Sequence, residues 1–228
     1  MTDSPRPRVA LIHAVEVAMA PTAAAFEDHW PAAERVNLWD DSLSVDRARD
    51  GALTPAMVSR IAALGDYALS TNVAAILFTC SAFGPAIAAF AACSPVLTLT
   101  PNEAMFDAAL CAGDRIGMLA TFAPSVESME AEFHEAARLQ GRSASIETVL
   151  VADALEALKA GNVEHHNVLL ADAAAQLEGC DALMLAQFST SRARHAVEAR
   201  VRMPVLTSPE SAVRTMRSAV EKMSPALE

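Results

Sequence analysis

One half of this chain repeats the other. The segment Ala74–Pro85, reading Ala-Ala-Ile-Leu-Phe-Thr-Cys-Ser-Ala-Phe-Gly-Pro, is echoed by Asp181–Ser191, reading Asp-Ala-Leu-Met-Leu-Ala-Gln-Phe-Ser-Thr-Ser, at an offset of 107 positions. Arg8–His13 matches Arg115–Ala120 at the same offset. Ser94–Glu103 matches Met203–Glu210, with Pro95 and Pro204 separated by 109. A duplicated half-chain predicts two similar lobes with a cleft between them. The offset also sets Cys80 in one copy opposite Gln187 in the other, a thiol against an amide.

Short apolar runs alternate with Ala-rich segments of helical length. The runs are Val9–Ala14, Val36–Trp39, Ala75–Thr79, Val96–Leu99, Ile116–Ala120, Ile146–Val151, Ala182–Ala186 and Val205–Thr207. Their apolar character is continuous rather than alternating, as expected of parallel strands buried on both faces. Met57, Ile61, Leu64 and Ala68 share one helical face, and Thr54-Pro55 reads as the cap and first residue of that helix. Thr100-Pro101-Asn102-Glu103 and Ser208-Pro209-Glu210 read as matching helix starts in the two copies. The fold class is therefore α/β: two Rossmann-like lobes, each a mostly parallel sheet flanked by helices, related by pseudo-twofold duplication. The expected division is 1–112 for the first lobe and 113–207 for the second, with a C-terminal helix over 208–228 free to complete the first.

With 53% hydrophobic residues among 228, two lobes can each bury a core. No apolar run approaches the roughly 18 to 20 residues of a membrane span. The polar start Met1–Pro7 lacks a secretory apolar core. These features predict a soluble, cytoplasmic protein. A net charge of −11 with scattered Lys and Arg argues against nucleic acid and anionic membrane as partners. A small carboxylate stays compatible, since backbone N–H groups and hydroxyls can hold it. Cys80, Cys93, Cys111 and Cys180 have no metal-type spacing and read as free thiols. His165-His166 reads as a solvated pair at a helix start, and no metal is expected.

Ligands of open α/β sheets bind outside the carboxyl ends of the strands. The residues there are His13 and Glu16, Thr79-Cys80-Ser81, Thr121, and Gln187 with Ser189, Thr190 and Ser191. Cys80 precedes Ser81 and Gly84-Pro85, where N–H groups of a helix start would lower its pKa and supply thiolate. The alternative is a small buried hydrophobe, which also describes Cys93, Cys111 and Cys180. His13 either orients or deprotonates the thiol, or is a strand-end histidine satisfied by backbone. Thr121, Ser81 and Ser189 either bind a carboxylate or cap helices. Gln187 can donate and accept hydrogen bonds but is neither acid nor base. Trp30 and Trp39 read as packing residues.

Phe78-Thr-Cys80-Ser-Ala, Ile116–Thr121 and Leu183–Ser189, together with the duplication, resemble the aspartate/glutamate/hydantoin racemase superfamily, which also holds maleate isomerases and arylmalonate decarboxylases. The resemblance spans Val9 to about Val220. It implies an active site between the lobes, no cofactor, a small carboxylic or amino acid as substrate, and a homo-oligomer. Racemases of the superfamily carry one cysteine on each lobe; Cys80 matches the first, and Gln187 stands at the second. Its decarboxylases use one cysteine, located where Gln187 is. Ser81 and Thr121 match positions that cradle a carboxylate. Ala82, Gln187, Phe188 and Ser189 join them as substrate-binding candidates, and His13 falls where a polar residue follows the first strand. The expected function is racemase- or isomerase-type chemistry at an α-carbon through a single cysteine. Decarboxylation of a malonate-type acid is the alternative, as is a carboxylate-binding protein without catalysis.

Overall fold

The computed structural model describes residues 6–223, so the polar start over residues 1–5 and the last five residues lie outside it. The first half runs β1 (Arg8–His13), α1 (Met19–His29), β2 (Glu34–Trp39), α2 (Ser42–Asp50), α3 (Pro55–Ser70), β3 (Ala75–Phe78), α4 (Gly84–Ala91) and β4 (Leu97–Leu99). The second runs α5 (Glu103–Ala112), β5 (Arg115–Ala120), α6 (Val126–Leu139), β6 (Ser145–Leu150), α7 (Ala152–Lys159), α8 (Val163–Ala174), β7 (Ala182–Leu185), α9 (Arg194–Glu198), β8 (Val205–Thr207) and α10 (Ser208–Met223). Every strand expected from the apolar runs is present.

The two sheets are parallel throughout and share one topology, β2-β1-β3-β4 and β6-β5-β7-β8. The register repeats as well: Val9 pairs with Ala75, and Ile116 with Ala182. Ile76 pairs with Thr98 and Leu183 with Val205, so the last strands superimpose at the 107 offset. The Pro-Val-Leu-Thr match, read at 109, is thus slipped by two along the ladder. A slip of two keeps every side chain on its own face, which is why both registers look plausible in sequence.

Two compact units emerge, one comprising the chain up to Asn102 together with residues from Ala212, the other Glu103–Ser211. The sequence division at 112 placed α5 with the first lobe. In the structure Met105, Phe106, Ala109 and Leu110 of α5 join Ile116, Met118, Met129, Phe133 and Met184 in one core. Their apolar face finds its partners in the second sheet, and the boundary falls before the helix. Residues of α10 from Ala212 group with the first unit, where Arg217 Nη1 donates to the carbonyl of His29 at 2.9 Å.

Each sheet is covered on both faces. In the first unit Ile12, Ile76 and Phe78 pack against Met57, Ile61 and Ala68 of α3 and Ile87 of α4. Helix α3 begins as its sequence dictates, with the Thr54 hydroxyl accepting from the Met57 N–H at 3.3 Å and Pro55 in the first turn. Gly65 permits the close approach of α3 to α4, because a Cβ there would meet the Phe90 ring at 2.3 Å. In the second unit the face opposite α5 and α6 packs Leu119, Leu183 and Leu185 against Leu170, Ala174, Leu177 and Val197. Helix α5 starts at Glu103, two residues beyond Pro101.

Several local expectations are corrected. Trp30 is buried and stacks on Phe26, whereas Trp39, at the end of edge strand β2, is 50% exposed. Cys93 and Cys111 are exposed rather than buried. His166 is fully buried, not solvated: α8 turns it inward, and its Nδ1–H donates to the Ala154 carbonyl at 2.9 Å. Burial pushes its pKa below the usual histidine value.

Candidate functional site

Parallel strands deliver their last side chains to one edge of each sheet, and in the first unit that edge is tied by an imidazole. His13, the final residue of β1, is fully buried. Its Nε2 lies 3.0 Å from Asn37 Oδ1 on β2, and its Nδ1 lies 2.9 Å from the Thr79 hydroxyl just past β3. With Asn37 accepting from Nε2–H, the Thr79 hydroxyl donates to Nδ1, which describes a neutral imidazole. Burial likewise moves its pKa down, partly offset by the Asn37 bond. Both ring nitrogens are therefore occupied. The imidazole expected to act on Cys80 instead knits three strand ends together, one residue away from the thiol.

Cys80 itself is half-buried, in extended backbone at φ −125° and ψ 112°, immediately before the 3-10 turn Ser81–Phe83. Its sulfur accepts from the Ala82 N–H, but burial is the larger influence and pushes the thiol pKa up. The lowered pKa expected from a helix start is not found, because a one-turn 3-10 helix supplies one N–H while the core removes water. At neutral pH the group is a protonated thiol. Ser81 is half-buried and Ala82 exposed in this turn, and the Ser81 hydroxyl has no hydrogen-bond partner among the described residues. Glu16 is exposed in the turn after β1.

The structure brings to this turn a residue the sequence did not single out. Arg47 of α2 donates from Nε to the Ala82 carbonyl at 3.3 Å, so the two faces of one residue serve Cys80 and Arg47. Among the described residues no carboxylate pairs with Arg47, and its two terminal nitrogens carry no protein bond. The neighbouring arginines Arg49 and Arg60 are both ion-paired. In sequence Arg47 sits among Asp40, Asp41, Asp46, Arg49 and Asp50, a pattern indistinguishable from a solvated charged helix. Only the register of α2 reveals it.

The corresponding edge of the second unit is closed by Gln187. Its Oε1 accepts from both the N–H and the hydroxyl of Thr121, each at 3.3 Å. Its Nε2 donates to the Ser125 hydroxyl at 2.8 Å and approaches the Met129 sulfur at 3.7 Å. Thr121 and Gln187, two expected substrate binders, are thus each other's partners. Gln187 also has φ +65° and ψ 149°, a conformation otherwise left to glycine. The 3-10 turn Phe188–Ala193 follows, with Phe188 buried and Ser189 half-buried; the Ser189 hydroxyl has no partner among the described residues. Thr190 and Ser191 bond back to carbonyls of their own turn.

Among the described residues no three His, Cys, Asp or Glu side chains gather as metal ligands, and no helix is long and apolar enough to cross a membrane. No family model and no curated protein matches the sequence. Solved structures do. An aspartate racemase homologue from Pyrococcus horikoshii OT3 superposes with a TM-score of 0.72 at 11% identity, over 94% of this chain and 99% of that one. Picrophilus torridus aspartate racemase gives 0.69 at 14% identity, over 94% of each. A glycine-to-cysteine mutant of arylmalonate decarboxylase gives 0.68 at 15% identity, over 96% of this chain and 95% of that one. At such identities the likeness establishes the fold alone, the parallel α/β architecture that these structures share with this chain.

Proposed function

We propose that this protein is a cofactor-independent enzyme that delivers or removes a proton at the α-carbon of a small carboxylic or amino acid, with the Cys80 thiol as the proton-carrying group. The observation that carries the reading is the pairing at the β3 end of a half-buried thiol with an arginine whose two terminal nitrogens have no partner among the described residues. The fork suits a carboxylate, which takes two parallel N–H bonds from a guanidinium. The free hydroxyl of Ser81 supplies a further donor in the same turn. Ser189 keeps its place as a substrate-binding candidate, whereas Thr121 and Gln187 support the second strand end from behind. The structural neighbours named above, racemases and a decarboxylase, are consistent with chemistry at such a carbon.

A second reading has its own support. The raised pKa of Cys80 makes it a proton donor in the resting enzyme rather than a ready base. Loss of CO2 from a malonate-type acid needs only a donor: the carbon–carbon bond breaks, the enediolate takes the Sγ proton, and the thiolate is reprotonated by water.

The test incubates a panel of small mono- and dicarboxylic acids and amino acids in heavy water with wild type and with Cys80→Ser. Deuterium at the α-carbon that depends on Cys80 supports proton transfer, and CO2 release from malonates separates the second reading from the first. Binding of these acids with neither outcome would sink both and leave a carboxylate-binding protein.

A further inference from the structure

Helix α2 is lightly anchored for an element that carries a candidate binding residue. Of its nine residues only Leu43 is buried, and Asp41 at its N-terminus makes no side-chain capping bond. Besides the bond from Arg47 to the Ala82 carbonyl, it is held from α3. Arg60 Nη1 donates to Asp46 Oδ2 at 2.6 Å, and Nη2 donates to Asp40 Oδ2 at 2.6 Å and to the Ser42 hydroxyl at 2.5 Å. Ser42 in turn donates to Asp40 Oδ1 at 2.6 Å. Leu43 and Asp46 are spaced by three, so they share one side of the helix, and Asp40 lies just ahead of its N-terminus. The two grips of Arg60 thus join, on one guanidinium, the residue that leads into α2 and a residue inside the helix. Arg47 follows Asp46 and lies four residues beyond Leu43, at the flank of that same side.

We propose that Arg60 is a positioning residue. By gripping Asp40 and Asp46 together it fixes α2 where Arg47 reaches the Cys80 turn, and it occupies the Asp40 carboxylate and shares that of Asp46 with Arg49. The proposal rests on the reading of Arg47 as the holder of a substrate carboxylate. Its consequence is specificity for anions: with Arg60 in place the site offers beside a thiol a cation that no carboxylate pairs among the described residues, and without it α2 loses the grip that aims that cation.

Cys80 can report this without knowledge of the substrate. In a chain carrying Cys93→Ser, Cys111→Ser and Cys180→Ser, its alkylation is timed with anionic iodoacetate and neutral iodoacetamide at one fixed alkaline pH, so that the thiolate fraction cancels in the ratio. The ratio of the two rates measures attraction of an anion to the turn. Arg47→Met is expected to lower that ratio about three- to fivefold. Arg60→Met is expected to lower it to the same degree in the Arg47-containing chain and not at all in the Arg47→Met chain. Arg60→Lys, which keeps the charge but lacks the planar fork that spans Asp40 and Asp46, recovers at most half of the loss. Hydrogen exchange should show the α2 amides of the Arg60 variants exchanging faster while the β3 amides stay protected. An unchanged ratio in Arg60→Met, or an equal fall in both backgrounds, overturns the positioning role while leaving Arg47 in place. An unchanged ratio in Arg47→Met removes the reading of Arg47 and the proposal together. If Arg60→Met fails to fold, Arg60→Lys with the same two backgrounds decides the matter.

Discussion

The two strand ends that the duplication makes equivalent are held in opposite ways. At Cys80 the backbone is ordinary extended chain and the side chain is left available, with one N–H donated to its sulfur. At Gln187 the backbone is strained and the side chain is consumed, its amide bonded at both ends to Thr121 and Ser125. Strain of this kind costs on the order of 1–3 kcal/mol and persists only where the surroundings enforce it. Here the enforcing contacts are those three hydrogen bonds of the side-chain amide. A fold that keeps its topology through duplication can therefore place reactivity on one copy and rigidity on the other.

The comparison breaks most sharply by exchanging roles. Cys80→Ala should cut α-proton exchange by roughly 10²–10⁴-fold, the usual worth of a positioned acid or base, while shifting stability by less than about 1 kcal/mol. Gln187→Ala should do the reverse in kind, because it leaves the Thr121 N–H without its acceptor, while the Ser125 hydroxyl loses a donor but keeps its own bond to the Phe122 carbonyl. A loss of about 1–3 kcal/mol is expected from urea unfolding. If Cys80→Ala proves the more destabilising of the two, the division of labour is wrong.

A finer version separates strain from bonding at position 187. Glycine removes the amide bonds but relaxes the backbone, whereas alanine removes them and keeps the strained φ. The stability order should be wild type above Gln187→Gly above Gln187→Ala, with the last two about 1 kcal/mol apart. Alanine equal to or better than glycine would show that the backbone at 187 stores no strain in solution.

Much of this was legible in the chain itself, for identifiable reasons. Strands buried on both faces write themselves as continuous apolar runs, so β1 to β8 and their duplication could be read directly. The carboxyl-end rule then pointed to Cys80, His13, Thr121 and Gln187. What sequence could not show was which polar groups find each other. His13 and Thr79 are 66 positions apart, as are Thr121 and Gln187, and no local pattern records either bond. The direction of the Cys80 pKa depended on how much water the core excludes, a quantity set by packing around β3. Arg47 was hidden for a third reason: its significance lies in a missing partner, and the partners of Arg49 and Arg60 are fixed only by the register of α2.

The smallest expected effect compares the two buried histidines. His13 and His166 are both fully buried with pKa values below the ordinary one, and burial is the leading cause in each. Between the lowered folded value and the unfolded value near 6.5, the unfolded chain binds more protons. Stability therefore holds above about pH 7 and falls as the pH drops through 6.5, by at most about 1.4 kcal/mol per pH unit for each histidine. The two should not contribute equally. A proton added to Nδ1 of His13 finds the Thr79 oxygen as acceptor, because the Thr79 hydroxyl can turn to the Ile12 carbonyl at 3.3 Å. A proton added to Nε2 of His166 finds no acceptor among the described residues, and the positive charge of Arg192 opposes it further. Urea unfolding between about pH 7.5 and 5 should accordingly lose more of its acid slope in His166→Gln than in His13→Gln. Equal flattening by the two, or a larger effect at His13, would show that the hydrogen-bond partners of the first imidazole do not ease its protonation.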